Sequence, residues 1–187
     1  MADCLRCSHG DTEIIRRILL PEYEDDLMGI PVVLRNAVEQ KVCEKCGEVL
    51  STVIPDLEGL RAAMAVTRVN DPLKLNGKEI RFLRKALGYT GKELAEKMQV
   101  SAESVSRWEN NKELMRPIGE KLLRLIVGGK LASKAPALDF DSDEIVNMHI
   151  QSVRAQEELA PIRLEWVVLK MPRQPKSRHW GILDEVA

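Results

Sequence analysis

The spacing of apolar residues changes along the chain from a strand-like to a helical pattern. β-Branched and aliphatic residues concentrate in two runs, residues 13–20 and 30–42, which predict two or three strands. The acidic residues between these runs, together with Gly29, are typical of a turn, and Pro31 is expected at a strand start or edge. From residue 57 onward the apolar residues recur every three or four positions. The pattern therefore predicts a β-rich unit followed by helices.

Start signals divide the helical region into separate elements. A helix over residues 57–69 is followed by Asn70-Asp71-Pro72, which breaks the pattern and predicts a domain junction. Four shorter helices are predicted after this junction. Their start signals are the N-cap Asn76, the capping box of Thr90 with Glu93, the N-cap Ser101 and the first-turn Pro117.

The second and third of these short helices have the features of a helix-turn-helix. Ala95 allows two helices to approach closely, and Val105 with Trp108 is expected to hold the third helix against the core. Arg107 on the opposite face can donate two hydrogen bonds to guanine O6 and N7. Hydroxyl groups near helix starts suit phosphates. The predicted DNA contacts are Thr90, Ser101, Ala102, Glu103, Ser104, Ser106, Arg107 and Lys112. A helical bundle that binds protein is the alternative on amphipathicity alone.

The last region predicts a small mixed unit. A linker over residues 132–136 leads to a helix that begins at Asp141 or Ser142 and ends near residue 159. Residues 162–170 and 177–183 alternate as strands, with Trp166 and Trp180 as a cross-strand pair. Dimerisation, binding of a protein partner and sensing are all open as roles for this region. His149 and His179 are single histidines and are not expected to bind metal.

Charge is distributed unevenly although the net charge is only −1. Residues 1–69 contain 8 basic and 12 acidic residues, residues 70–130 contain 13 and 8, and residues 131–187 contain 7 and 9. A basic middle between acidic ends favours contact of that middle region with a polyanion. Uneven surface charge without a function is the alternative.

All four cysteines lie in two C-x-x-C pairs, Cys4 with Cys7 and Cys43 with Cys46. Two such pairs supply the four thiolates of a tetrahedral structural zinc site, with Gly47 allowing the turn after the second pair. One Zn²⁺ is predicted, with no open position for catalysis. A redox pair, disulfides and buried unrelated cysteines are the alternatives, and His9 is a possible competing ligand. A redox pair would leave the other pair unused, and disulfides do not fit a reducing compartment.

Composition limits the functional class. The chain has no apolar run of 18 residues, and its N-terminus does not have the pattern of a signal peptide. We therefore expect a cytoplasmic protein without a membrane span. No nucleophile–base pair, phosphate-binding loop or carboxylate constellation is evident, so we do not expect an enzyme.

The segment T-G-K-E-L-A-E-K-M-Q-V-S-A-E-S-V-S-R-W-E-N-N resembles the helix-turn-helix of the Xre/Cro repressor family over about residues 76–127. The resemblance implies that Ala102, Glu103, Ser106 and Arg107 contact bases. Two positions at which that family has glycine differ here. Gln99 occupies the position in the turn, where a left-handed backbone conformation would cost a residue other than glycine about 1 kcal/mol. Asn111 occupies the position after W-E-N, and asparagine tolerates this conformation better than most residues.

Over residues 1–127 the chain is similar to the MqsA/YgiT antitoxins, in which a zinc domain precedes an Xre-type domain. The segments G-I-P-V-V-L and C-E-K-C-G-E carry this similarity. It implies a homodimer that represses its own operon from a palindromic operator in double-stranded DNA, with the zinc domain binding a toxin. A stand-alone zinc-finger regulator or a protein-binding adaptor is the alternative.

These inferences predict an α+β multidomain protein. Residues 1–69 form a small β-rich zinc-binding domain with a linking helix, and residues 70–130 form an all-α Xre-type domain. Residues 131–187 form a small α+β extension that contains a helix and a β-hairpin.

Overall fold

The computed structural model describes residues 15–152, 160–169 and 177–182, and the side chains of residues 168, 169 and 177 are not described. Seven strands are present in this part of the chain. Their bounds are β1 (Ile15–Leu19), β2 (Glu22–Leu27), β3 (Ile30–Arg35), β4 (Glu39–Cys43), β5 (Val49–Val53), β6 (Ile162–Leu169) and β7 (Ser177–Ile182).

Six α-helices lie between the fifth and sixth strands. Their bounds are α1 (Leu57–Asn70), α2 (Gly77–Ala86), α3 (Gly91–Met98), α4 (Ala102–Glu109), α5 (Pro117–Leu131) and α6 (Ser142–Asn147). A 3-10 turn, Ala132–Lys134, extends α5. The predicted N-caps Asn76, Thr90 and Ser101 each accept a hydrogen bond from the amide three residues on, which confirms the three predicted helix starts. No helix of the described residues is long and apolar enough to cross a membrane.

The strands form two sheets that share no strand. Strands β1, β4 and β5 form an antiparallel three-stranded sheet, and the order of the four-stranded sheet is β2-β3-β6-β7. In the second sheet β3 pairs in parallel with β6, with Val32 opposite Ile162. The four-stranded sheet therefore combines β2 and β3 from the N-terminal part of the chain with β6 and β7 from the C-terminal part. The combination of sheets and helices confirms the predicted mixed α+β class.

Helix α1 is buried along most of its length because it packs on both the second sheet and the helical layer. Leu60, Met64 and Val66 belong to the same core cluster as Leu34 and Leu164 of the sheet. That cluster continues through the interior residues of α2, α3, α4 and α5. Contacts therefore cross the predicted boundaries at residues 70 and 131.

The predicted cross-strand tryptophan pair is confirmed. Trp166 lies opposite Trp180, and the ring centroids are 5.0 Å apart with an interplanar angle of 59°. Trp180 is 1% exposed, and its indole N–H donates to the carbonyl of Asp56 at 3.3 Å, just before α1 begins. This contact anchors the C-terminal hairpin to the start of α1.

Two sequence-based expectations are wrong. The acidic residues from Glu22 to Asp26 form strand β2 instead of a turn, because each second side chain can face solvent while Tyr23 and Leu27 face inward. The reversal occurs at Met28 and Gly29, which have φ angles of 60° and 90°. The predicted helix over residues 142–159 ends at Asn147, and residues 153–159 lie outside the described part. Gln151 instead exchanges backbone hydrogen bonds with Pro72 and Lys74, each 2.9 Å long.

Four buried charged residues surround the segment between α1 and α2. They are Arg68, Glu79, Glu120 and Arg124, all at most 6% exposed. Arg68 pairs with Glu79, and Arg124 donates to Glu120 at 2.8 Å. The two guanidinium groups also bind the carbonyl groups of residues 69, 71, 73 and 74. We call this group the buried charge network.

Glu120 has a central place in the network. Its Oε1 accepts from the amide of Leu75 at 2.9 Å as well as from Arg124, and its Oε2 lies 3.2 Å from Lys74 Nζ. Burial lowers the pKa of Arg124, and the hydrogen bond and charge of Glu120 oppose that shift. The network therefore depends on the presence of this carboxylate.

Replacing Glu120 with leucine should strongly destabilise the fold. The substitution leaves the Arg124 guanidinium buried without its counter-charge, so we expect a loss of about 3–5 kcal/mol in the free energy of unfolding. Urea unfolding followed by circular dichroism measures this loss. Glu58→Gln, which removes an exposed ion pair with Lys134, is the matched control and should leave the midpoint nearly unchanged. Equal midpoints for both variants would contradict the role given to the network.

Candidate nucleic-acid interface

Helices α3 and α4 form a compact pair joined by a three-residue turn. Gln99 ends α3 in the left-handed conformation, with φ 54° and ψ 44°, as predicted for this position. The amide of Val100 then donates to the carbonyl of Ala95 at 2.9 Å. Ala95 is 3% exposed, consistent with a close approach of the two helices. The turn thus directs α4 across α3.

Helix α4 has one buried face and one exposed face. Val105 and Trp108 are 1% and 8% exposed and belong to the core cluster, which confirms their predicted inward position. On the other face the exposed side chains are Ala102, Glu103, Ser106 and Arg107. The structure thus brings the four predicted base-contacting residues together on one exposed surface.

Two arginines of α2 fix the C-terminal end of α4. Arg84 forms a two-point ion pair with Glu109, with Nη2 3.1 Å from Oε2, and Arg81 Nε lies 3.3 Å from the same carboxylate. The hydrogen bond to Glu109 raises the pKa of Arg84. The sequence analysis did not find this clamp. Its signal is the three-residue spacing of the arginines on α2, which places both on one helix face.

Gly77 permits close contact between the start of α2 and the end of α4. A Cβ atom at this position would lie 2.5 Å from the carbonyl oxygen of Glu109. The Gly77 amide also donates to the Asn111 side chain at 2.7 Å. Asn111 has a φ angle of 53°, in the left-handed region that asparagine tolerates better than most residues. The C-terminal end of α4 is therefore held by contacts from the start of α2.

Arg107 is exposed but is engaged by two carboxylates. Its Nη2 lies 2.8 Å from Glu103 Oε1, one helical turn earlier, and its Nη1 lies 3.8 Å from Glu113 Oε2. Its side chain remains 53% exposed. Lys112, the other predicted cationic contact, is exposed immediately after α4.

The predicted hydroxyl contacts lie at the starts of α3 and α4. Thr90 accepts from the amide of Glu93 at 3.2 Å, and Ser101 accepts from the amide of Ser104 at 3.0 Å. The Thr90 amide and hydroxyl lower the pKa of Glu93. The first amides of a helix have no intrahelical partner and can donate to an anion. A hydroxyl cap and a first-turn carboxylate, Glu93 or Glu103, therefore lie together at each of these helix starts.

A stripe of apolar side chains begins just after α4. Leu114, Ile118 and Leu122 are 70%, 85% and 40% exposed and recur every four residues. Ile118 and Leu122 lie on α5, whose buried apolar face includes Leu123 and Val127. We refer to the three exposed residues as the α5 stripe. Spacing alone did not reveal which apolar residues of this helix face solvent.

Of the four predicted zinc ligands, only Cys43 and Cys46 lie among the described residues. Cys43 ends β4 and is 3% exposed, and Cys46 lies in the turn before β5. The Gly47 amide donates to the Cys43 carbonyl at 2.8 Å, and Gly47 has a φ angle of 74°. Ile15 lies opposite Cys43, so the chain that follows Cys7 enters the sheet beside this turn. Within the described residues, no group of three or more histidine, cysteine or acidic side chains could hold a metal.

Comparison with known protein families identifies a domain in this region. Residues 80–126, about a quarter of the chain, match the family described as helix-turn-helix. The matched region begins within α2 and ends within α5, so it contains the α3–α4 pair. The chain therefore contains an Xre-type helix-turn-helix domain, as the sequence predicted.

One curated relative is similar over a stretch longer than this domain. It is a candidate HTH-type transcriptional regulatory protein of Sulfurisphaera tokodaii, 25% identical over 137 residues. The similarity covers 71% of this chain, which spans about half, 46%, of the length of that relative. No solved structure matches the chain.

Proposed function

We propose that this protein is a transcriptional regulator that binds double-stranded DNA with sequence specificity through α4. The observation that carries the proposal is the exposed face of α4 within a helix-turn-helix domain. This face is 2 turns long, ends at a clamp from α2 and presents Arg107 to solvent. In such domains the second helix enters the major groove while the first crosses the backbone. The name of the relative as a transcriptional regulator is consistent with this function.

We assign base contacts and phosphate contacts to different parts of the helix-turn-helix, according to the chemistry of each surface. Side chains of α4 read base edges in the major groove, and the starts of α3 and α4 bind phosphates through amides, Thr90 and Ser101. Regulation by repression follows when the bound operator overlaps a promoter. An enzymatic role has no support in the helix-turn-helix match or in the relative's name.

Replacing Arg107 with alanine should weaken binding to the preferred site and relax the sequence preference at one base pair. Loss of a two-point contact to guanine costs about 1–3 kcal/mol at that position. Fluorescence anisotropy with duplexes that differ at single base pairs measures both effects. Lys134→Ala, outside the helix-turn-helix, is the control and should keep wild-type affinity and preference. An unchanged preference in the Arg107 variant would rule out this residue as a base contact.

The α5 stripe supports a homodimer. Single exposed apolar residues are common on protein surfaces, but Ile118 and Leu122 lie one turn apart on α5, and exposed Leu114 lies in the segment just before this helix. The stripe follows α4 in the chain, and we propose that a two-fold axis beside it presents both copies of α4 to one DNA molecule. Such symmetry matches a palindromic operator, with the half-sites separated by about one turn of DNA.

Replacing Ile118 with glutamate should dissociate this dimer. Burial of two carboxylates at a two-fold interface is unfavourable, so we expect the dissociation constant to rise at least about tenfold, equivalent to about 1.4 kcal/mol. Sedimentation equilibrium of the full chain measures it. Leu57→Glu is the control, since Leu57 is 61% exposed at the start of α1 and away from the stripe. A dimer that is equally stable in both variants would place the interface elsewhere.

The turn after β4 supports the proposed zinc site. The Cys43–Gly47 hydrogen bond and the left-handed glycine close a tight C-x-x-C-G turn, and thiolates are the ligands preferred by structural zinc. Cys43 and Cys46 would hold the ion together with Cys4 and Cys7, which lie outside the described residues. The bound ion would supply a structural link between the N-terminal segment and the β4–β5 turn, without any open position for chemistry.

Metal removal should affect the three-stranded sheet and spare the helices. We expect one zinc per chain by elemental analysis, and none in a Cys43→Ser/Cys46→Ser variant. On chelation, amide hydrogen exchange should accelerate in β1, β4 and β5, while α2 to α5 keep their protection. Exchange before and after chelation, followed by mass spectrometry, makes this comparison. Protein that is purified with zinc present but contains no metal would exclude the site.

A more specific proposal is that the protein is an antitoxin that represses its own operon and binds a toxin. This proposal rests on the similarity of the segments G-I-P-V-V-L and C-E-K-C-G-E to the MqsA/YgiT antitoxins. In this chain Ile30, Val32, Val33 and Leu34 are at most 3% exposed, so the first motif fills the core. The edge strand β2 carries the exposed acidic side chains that a basic toxin would contact. The alternative is a stand-alone regulator or adaptor. Copurification of a small basic protein in equal amount with the tagged native chain favours the antitoxin, and its absence favours the alternative.

A further inference from the structure

An ion pair occupies the centre of the surface proposed to read DNA. Glu103 and Arg107 lie one turn apart on α4, and their closest atoms are 2.8 Å apart. Glu113, which follows the helix, approaches the other side of the Arg107 guanidinium at 3.8 Å. All three side chains are at least half exposed, so a DNA molecule could reach them.

This arrangement does not suit a general phosphate contact. The exposed charged side chains of α4 and of the segment that joins it to α5 are Glu103, Arg107, Lys112, Glu113 and Arg116, which sum to only +1. A phosphate that approached Arg107 would meet two carboxylates, and like charges repel. Base edges in the major groove carry no net charge, and they offer donors as well as acceptors. The surface is therefore suited to base edges.

We infer that Glu103 determines specificity by accepting a hydrogen bond from a cytosine N4 amino group, within one base-pair step of the guanine bound by Arg107. This inference rests on the proposed DNA-binding function. A carboxylate can only accept hydrogen bonds. With Oε1 bonded to Arg107, Oε2 of Glu103 is the oxygen that accepts from the base.

The donor pattern of the four bases ranks their fit to Glu103. Cytosine presents an amino donor in the major groove, whereas guanine presents only the acceptors N7 and O6. Adenine has an amino donor beside the N7 acceptor, and thymine has the O4 acceptor beside its methyl group. The expected order is cytosine first, adenine second, and guanine and thymine last. Arg107 gains from the same pairing, because Glu103 holds its guanidinium in place for guanine.

The test compares base preference in two glutamine variants of the full chain. A preferred duplex is first selected from random DNA by the wild-type protein, and each position of its half-site is then changed to all four base pairs. At the position read by Glu103, wild-type protein should bind cytosine about tenfold more tightly than guanine or thymine. Glu103→Gln should switch the preference to adenine, because glutamine bonds both N6 and N7 of adenine. Glu58→Gln, the matched control, removes an exposed ion pair with Lys134 outside the helix-turn-helix and should keep cytosine.

The outcomes separate this inference from the function on which it rests. A Glu103→Gln variant that selects the same sequence as wild-type protein, with the same preference at every position, would overturn the role of Glu103 alone. Wild-type protein that shows no preference at any position would overturn the proposed function itself. Glu103 is 73% exposed, so the variant should keep the wild-type helical content, which circular dichroism measures.

Discussion

The buried charge network is the constraint on which the arrangement of this protein depends. An irregular segment, residues 71–76, passes between α1, α2 and α5, and the carbonyl groups of residues 71, 73 and 74 need hydrogen-bond partners there. Arg68 and Arg124 supply these partners, and Glu79 and Glu120 compensate their charge. Because α1 also packs on the four-stranded sheet, the network couples the sheet to the helix-turn-helix domain.

The same constraint organises the surface that we propose reads DNA. Helix α2 contributes Glu79 to the network on its buried side and Arg81 and Arg84 to the clamp on Glu109. Helix α4 is therefore positioned through α2, and the side chains of its outer face contact only residues of α4 and of the segment that follows it. Because α2 holds α4 from its inner side, residues on the outer face of α4 can change without loss of this positioning.

The sequence predicted those features that depend on neighbouring residues. The caps at Asn76, Thr90 and Ser101, the inward Val105 and Trp108 and the left-handed Gln99 and Asn111 all follow from local chemistry. Features that depend on distant residues were missed. The parallel pairing of β3 with β6 joins segments about 130 residues apart, and β2 is a strand because β3 lies beside it. The sequence analysis assigned no role to Glu120 and Arg124, since only the fold brings buried carbonyl groups to them.

The central claim is that α4 and the helix starts beside it contact DNA. The most direct measurement is a titration of the isotope-labelled full chain with the duplex it prefers, followed by amide chemical shifts. The account predicts that the largest shifts lie between residues 90 and 112, with little change in β2 and β3. Shifts concentrated in the four-stranded sheet, or no shifts at all, would contradict it.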